Sequence, residues 1–213
     1  FLTMWSFLEK DSREDHRKFM PRPEDIRNIR SSGIVVPFTD SPLDDEPVGE
    51  NVYLNIINSA ENYVYITTPY LVIDNEMQTA LGLAAKSGVD VRIITPHIPD
   101  KWFVFAVTRA HYRKLLRYGI KIYEYTPGFI HAKNWVSDDK AAVIGTINLD
   151  FRSLYLHFEC ASFMYRSECI PDIKRDYLDT LKQCQEITYS DCIHISFFRR
   201  IGRAVLRLFA PMM

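Results

Sequence analysis

The sequence lacks both a long apolar run and an excess of charge of either sign. No stretch of its 213 residues approaches the roughly 18 consecutive apolar residues of a membrane-spanning helix. Lysine and arginine number 26 against 27 aspartates and glutamates, which gives a formal net charge of −1. Nucleic-acid binders gain affinity by neutralising phosphates with basic residues, so this balance argues against nucleic acid as a partner.

Cysteine is also scarce. The four cysteines are Cys160, Cys169, Cys184 and Cys192. Their spacing fits neither a zinc ribbon nor a Cys-x-x-Cys redox pair, and we interpret them as free thiols of a reducing compartment, with disulfide pairing as the alternative. No metal-ligand cluster is evident, and no cofactor is expected.

The composition, 47% apolar and 25% charged, is that of an ordinary globular protein with one substantial core. We expect three segments: a connecting or packing segment at 1–30, one main domain at 31–189, and a basic amphipathic helix at 190–213. The chain begins at Phe1 rather than Met, and we expect it to be a piece of a longer protein.

Apolar periodicity predicts a layered α/β fold. The predicted strands are 34–36, 62–68, 89–95, 120–125, 132–136, 141–144 and 156–165. The predicted helices are 48–60, 76–87, 103–118 and 167–186. Residues 39–47, rich in proline and acidic side chains, are predicted to form an exposed loop.

The most informative stretch contains His131, Lys133, Gly145, Thr146 and Asn148. Residues two apart on a strand share a face, so an imidazole and an ammonium would project together. Lysine and an amide would stabilise charge that develops on a phosphodiester, where one lost donor costs about 3 kcal/mol. Gly145 would let the backbone approach a ligand closely. The alternative is a surface hairpin with solvated side chains.

This pattern resembles the signature of the phospholipase D superfamily. The residues that match this signature are His131-x-Lys133-x-x-x-x-Asp138-x-x-x-x-x-x-Gly145-Thr146-x-Asn148. The wider segments 123–133 and 145–153 resemble the second motif region of bacterial cardiolipin synthases, and 65–70 and 88–94 are similar to that family's earlier strands. The likeness runs from about Ile34 to the C-terminus.

The resemblance implies a phospholipase D-like layered sandwich with a mixed central sheet flanked by helices. It also implies transfer of a phosphatidyl group between two phosphatidylglycerols through a covalent phosphatidyl-histidine. His131 would be the acid/base partner, although the sequence leaves open which histidine forms the adduct. Lys133 and Asn148, with Thr146, would hold the phosphate oxygens, and Glu159 would hold the catalytic imidazole through a ring N–H. Asp138 belongs to the catalytic signature, but its place in the hairpin turn predicts a structural role.

The family's mechanism needs two such motifs, and this chain contains one. The N-terminal half of the same enzyme, or a second copy of this chain, would supply the other; the non-Met start favours the former. Phosphatidylglycerol and anionic membrane lipid are the expected partners, and association with the inner membrane is the expected location. The arginine-rich C-terminal helix would lie in a membrane interface or pack on the domain.

Other functions stay open at this point. They are phospholipase D-type hydrolysis, another phosphatidyl transfer, a homodimeric single-motif nuclease, and a non-enzymatic lipid-binding half. His157, close to Glu159, is interpreted as a packed histidine, and His97 and His111 are assigned no chemistry.

Overall fold

The computed structural model describes residues 5, 16–27, 32–43 and 45–193. The chain divides into two units, Phe1–Ser32 and Gly33–Met213. The first unit has a 3₁₀ turn at His16–Phe19 and a one-turn helix, α1, at Pro23–Ile26. The predicted C-terminal amphipathic helix lies almost entirely outside the described residues, which end at 193.

The second unit alternates strands and helices. Its strands are β1 (Ile34–Asp40), β2 (Tyr63–Thr67), β3 (Leu71–Val72), β4 (Asp90–Pro96), β5 (Lys121–Tyr125), β6 (Asn134–Ser137), β7 (Ala141–Gly145), β8 (Leu149–Asp150), β9 (Glu159–Tyr165) and β10 (Cys184–Ile187). Its helices are α2 (Val48–Ser59), α3 (Asn75–Lys86), α4 (Trp102–Arg117), α5 (Phe151–Tyr155), α6 (Ile170–Leu181) and α7 (Tyr189–Ile193).

Eight of these strands form one mixed sheet in the order β1-β9-β7-β6-β2-β4-β5-β10. The strands β2, β4 and β5 run parallel, and the other pairings in this sheet are antiparallel. The short strands β3 and β8 pair separately, in parallel. The carboxyl ends of β2, β4 and β5 therefore meet the start of β6 at one edge of the sheet.

Aromatic side chains carry much of the packing on both faces of the sheet. Tyr53 of α2 stacks on Trp135 of β6 with ring centroids 4.2 Å apart. Tyr177 of α6 stacks on Tyr65 of β2 at 4.9 Å. Since these pairs belong to separate buried clusters, the sheet is covered by helices on both sides, which confirms the predicted sandwich.

The predicted exposed loop at 39–47 is wrong at its start. Thr39 and Asp40 continue β1, and Asp40 is only 5% exposed. Its carboxylate accepts the Gly49 N–H at 2.6 Å, so it satisfies a donor in the first turn of α2.

Two predicted elements near the C-terminus also differ from the structure. The strand predicted at 156–165 begins only at Glu159, because Asp150 caps the short helix α5 by accepting the Ser153 N–H at 2.8 Å. The helix predicted at 167–186 ends at Leu181, and β10 follows it. Pairing with β5 orders β10 as a strand, a tertiary effect that local sequence does not encode.

Candidate active site

His131 and Lys133 lie in the segment that connects β5 to β6, at the edge of the sheet where β2, β4 and β5 end. The strand predicted at 132–136 is therefore wrong at its start, since β6 begins at Asn134. The Lys133 carbonyl still accepts the Gly145 N–H at 3.2 Å, so the segment remains attached to β7. The predicted pairing of the imidazole with the ammonium is nevertheless present.

The Lys133 ammonium contacts the His131 ring directly. Its Nζ lies 3.1 Å from both ring nitrogens and donates to the His131 carbonyl oxygen at 2.7 Å. Lys133 is only 8% exposed, which keeps this cation in place. Burial and then the Lys133 charge lower the pKa of His131, while Asp100 acts to raise it. Burial also lowers the pKa of Lys133, although the Glu159 and Asp150 carboxylates oppose that shift.

Aromatic side chains connect His131 to the loop after β4. The Phe129 ring lies 5.5 Å from the His131 ring and 6.3 Å from the Tyr70 ring, measured between centroids. The Tyr70 hydroxyl donates to Asp100 Oδ2 at 2.5 Å. Asp100 was not among the predicted site residues, since it is 31 positions from His131 and carries no motif.

A hydrogen-bond network links Asn148, Ser153, Glu159 and Thr146 beside this pair. The Ser153 hydroxyl donates to Glu159 Oε1 at 2.9 Å and accepts from Asn148 Nδ2 at 2.9 Å. The Thr146 hydroxyl donates to Glu159 Oε2. Ser153 has one hydroxyl proton, so Glu159 determines which atom of Asn148 the serine can bind.

Sequence reasoning missed this role of Ser153. The residue is 1% exposed, and its backbone N–H is the group that Asp150 caps. The available signal was Asp150, a residue type typical of the position before the first turn of a helix. That residue indicates a cap but not a hydroxyl shared between two site residues.

Among the described residues, Glu159 hydrogen-bonds to Thr146 and Ser153 rather than to the His131 imidazole, so its predicted hold on a catalytic imidazole stays a prediction. The imidazole closest to this carboxylate in the described residues is His157, with Nδ1 3.6 Å from Oε1. His157 is not packed as expected, because it lies in the turn before β9 with 49% of its side chain exposed.

Asp138 lies at the other end of β6 from His131. Its carboxylate accepts backbone N–H groups of Glu61, Asn62 and Tyr63 at 2.7–2.9 Å, which ties the β6–β7 turn to the start of β2. These contacts are structural. Packing also requires glycine at position 145, because a Cβ there would collide with Ala161 of β9.

One open cleft of about 550 Å³ brings the predicted residues together. Its lining comprises His131, Ala132, Lys133, Asn134, Ile144, Gly145, Thr146, Asn148 and Glu159. Asn134 and Asn148 each place an amide oxygen that is buried and has no hydrogen-bond partner among the described residues. The cleft thus offers a cation, an imidazole and free amide acceptors, a set suited to a phosphate ester that carries hydroxyl groups.

The described residues contain neither a cluster of metal ligands nor a membrane-spanning helix. Across 16–27, 32–43 and 45–193, no three or more histidine, cysteine or acidic residues cluster so that they could hold a metal ion. In the same ranges, no helix combines the length and apolar character needed to cross a bilayer. The four cysteines are free thiols.

The fold is that of phospholipase D-type domains. Nuc, a phospholipase D family member from Salmonella typhimurium, aligns with a TM-score of 0.62 and 18% identity over 73% of this chain and 98% of its own. Phosphatidylserine synthase from Haemophilus influenzae aligns with a TM-score of 0.67 and 15% identity over 84% of this chain and 45% of its own. At such identities the likeness concerns the fold alone.

The chain belongs to the cardiolipin synthase, phospholipase D-like domain family, whose family model matches residues 53–181. A cardiolipin synthase of Clostridium perfringens is 37% identical over all of this chain and 45% of its own length. An uncharacterized protein of Streptococcus mutans is 50% identical over the same shares of both chains. The chain thus spans about half the length of these curated relatives.

Proposed function

We propose that this chain is the catalytic half of a cardiolipin synthase, a transferase of phospholipid biosynthesis. It would join two phosphatidylglycerols into cardiolipin with release of glycerol. The observation that carries the proposal is the Lys133 ammonium, 3.1 Å from both His131 ring nitrogens in a cleft that also contains Asn148 and Thr146. Family membership favours a lipid phosphodiester over other phosphate esters.

In the first step, a histidine of a second motif attacks phosphorus of one phosphatidylglycerol. A nitrogen–phosphorus bond forms as the bond from phosphorus to the glycerol oxygen breaks. Protonated His131 donates its proton to the departing oxygen, so glycerol leaves as a neutral alcohol. The Lys133 ammonium stabilises the negative charge that builds up on the phosphate oxygens, and the free Asn148 amide oxygen can accept a headgroup hydroxyl.

In the second step, neutral His131 accepts the proton of a headgroup hydroxyl on the second phosphatidylglycerol. That oxygen bonds to phosphorus as the nitrogen–phosphorus bond breaks, which gives cardiolipin and restores both histidines. The lowered pKa of His131 suits both steps, because its protonated form is a strong donor and its neutral form is available for the second proton.

Glu159 and Ser153 act through other groups in this scheme. The Glu159 carboxylate acts to raise the pKa of Lys133, which keeps that side chain an ammonium. Through Ser153, it also fixes the orientation of Asn148. The second motif comes from another part of the same protein or from a second copy. Contact with anionic lipid at the inner membrane follows from the substrate.

The test is product analysis with radiolabelled phosphatidylglycerol in detergent micelles. We expect cardiolipin and glycerol in equal amounts from the protein that contains this chain together with the second motif. His131→Ala should reduce turnover by several orders of magnitude, because both proton transfers lose their carrier. An exposed residue far from the cleft, as in Lys182→Ala, provides the matched control.

Phosphatidic acid as the only lipid product would instead identify a phospholipase D-type hydrolase. Substantial cardiolipin formation by His131→Ala would contradict the role of His131.

A further inference from the structure

A second histidine, His97, is held by a buried carboxylate outside the cleft described above. His97 Nδ1 lies 2.8 Å from Glu124 Oε2, and Glu124 is completely buried. Arg109 binds both oxygens of the same carboxylate, at 2.8 and 2.6 Å, and Tyr112 donates to Oε1 at 3.2 Å. The carboxylate is therefore fully engaged, and the imidazole is fixed through Nδ1.

This orientation leaves Nε2 as the ring nitrogen that can bind a ligand. The His97 side chain is 41% exposed and that of Arg109 is 32% exposed, so both can be reached from solvent. Besides the two N–H groups that bind Glu124, the Arg109 guanidinium has further charged N–H groups beside the imidazole. Charged N–H donors form the stronger type of hydrogen bond to phosphate oxygens.

His97 and His131 extend from the same edge of the sheet. Asn134, Thr67 and Ile94 are register partners across β6, β2 and β4. His131 precedes Asn134 by three residues, and His97 follows Ile94 by three. Two strand spacings separate β6 from β4, a lateral distance of about 10 Å. A three-carbon glycerol bridge with a phosphate at each end can span that distance when one phosphate lies beside His131 and the other beside His97.

The residues that follow His97 fit a lipid surface. Ile98 is 50% exposed and Trp102 is 71% exposed, with Lys101 exposed between them. Apolar and aromatic side chains beside cations are typical of the interface between lipid headgroups and acyl chains. The chemistry around His97 therefore points to a phosphate that belongs to a lipid.

We propose that His97, positioned by Glu124 and Arg109, binds the phosphate of the acceptor phosphatidylglycerol, the molecule whose headgroup hydroxyl receives the phosphatidyl group. The inference rests on the proposed function. It assigns the two phosphates of the product to two places: the reacting phosphate to the cleft of Lys133 and Asn148, and the other to His97.

The test compares two soluble acceptors with labelled phosphatidylglycerol as the donor. Glycerophosphoglycerol carries the headgroup phosphate without acyl chains, and glycerol carries no phosphate. In the unsubstituted protein we expect transfer to glycerophosphoglycerol to be the more efficient reaction. His97→Ala should reduce kcat/KM for glycerophosphoglycerol on the order of tenfold, through KM, and leave kcat/KM for glycerol unchanged.

Lys114→Ala is the control, since it removes an exposed positive charge near the other end of α4. It should preserve the preference between the two acceptors. Equal losses with both acceptors in His97→Ala would show a structural role, and an unchanged preference would show no role; either result overturns the inference. If the unsubstituted protein transfers to neither acceptor and only hydrolyses the donor, the proposed function itself fails.

Discussion

Among single side chains, the neighbours of His131 determine its protonation. Lys133 lowers the pKa of this imidazole and Asp100 acts in the opposite direction, while burial contributes the largest lowering effect. The two charges act on the ring differently: the Lys133 ammonium contacts it, whereas Asp100 is bound by the Tyr70 hydroxyl and acts through its charge alone. Their effects on His131 can therefore be separated by substitution.

We expect Lys133→Met and Asp100→Asn to move the His131 titration in opposite directions. Loss of the lysine charge removes repulsion of the imidazolium, so the His131 pKa should rise towards the ordinary value of about 6.5 without reaching it, because burial remains. Loss of the aspartate charge should lower the pKa further. The measurement is an NMR titration of the His131 ring protons.

A shift of the His131 titration in the same direction in both variants would contradict this assignment.

Among the structural elements, the β6–β7 hairpin depends on one carboxylate. Asp138 adopts a positive φ of 53° and accepts three backbone N–H groups at the start of β2. Burial acts to raise its pKa, but the three hydrogen bonds and Lys140 outweigh burial, and the pKa is lowered. Asp138 therefore stabilises the fold at neutral pH, and this contribution is lost as pH falls through its folded-state pKa.

Asp138→Asn should lower the free energy of unfolding by about 1–3 kcal/mol at neutral pH. Asparagine tolerates a positive φ, so the change reports the lost carboxylate rather than backbone strain. Denaturant unfolding at several pH values is the measurement, and the difference from the unsubstituted protein should shrink at acidic pH. Asp179→Asn breaks an exposed ion pair with Lys182 and should cause no measurable change. A pH-independent difference would contradict the charge argument.

Apolar periodicity in the sequence predicted those strands and helices that local apolar spacing alone specifies. The helices α2, α3 and α4 lie within a residue or two of their predicted bounds. It failed where a distant partner orders the chain: β10 forms on β5, and β3 forms on β8. Two-residue and edge strands carry too few residues for a period-2 pattern to be recognised.

The same distinction applies to the candidate site. The motif spacing predicted that His131, Lys133, Thr146, Asn148 and Glu159 would meet, and all five line one cleft. It could not predict the partner of Glu159, because the contact depends on how α5 brings Ser153 back towards β9. The contacts of Asp100 with Tyr70 and of His97 with Glu124 join segments that the order of strands in the sheet brings together. A local motif does not encode that order.

For the assembled protein, the main question is which polypeptide supplies the second histidine. The proposed chemistry needs two, and this chain carries one His-x-Lys-x-x-x-x-Asp motif within a sequence about half as long as its curated relatives. We expect both motifs to act within one polypeptide. Each protein molecule would then hold a complete pair, and an inactive copy would not impair an active neighbour.

Mixing experiments separate this arrangement from a site shared between two copies. Protein with His131→Ala is unfolded and refolded together with unsubstituted protein in varied ratios, and cardiolipin formation is measured at constant total protein.

For motifs in one polypeptide, activity should decline linearly with the inactive fraction. For one active site built from both copies, activity should follow the square of the unsubstituted fraction, because only pairs without the substitution retain both histidines. A half-and-half mixture should thus keep about half of the activity in the first case and about a quarter in the second. Samples mixed without unfolding show whether subunits exchange, and a quadratic decline would overturn the single-polypeptide arrangement.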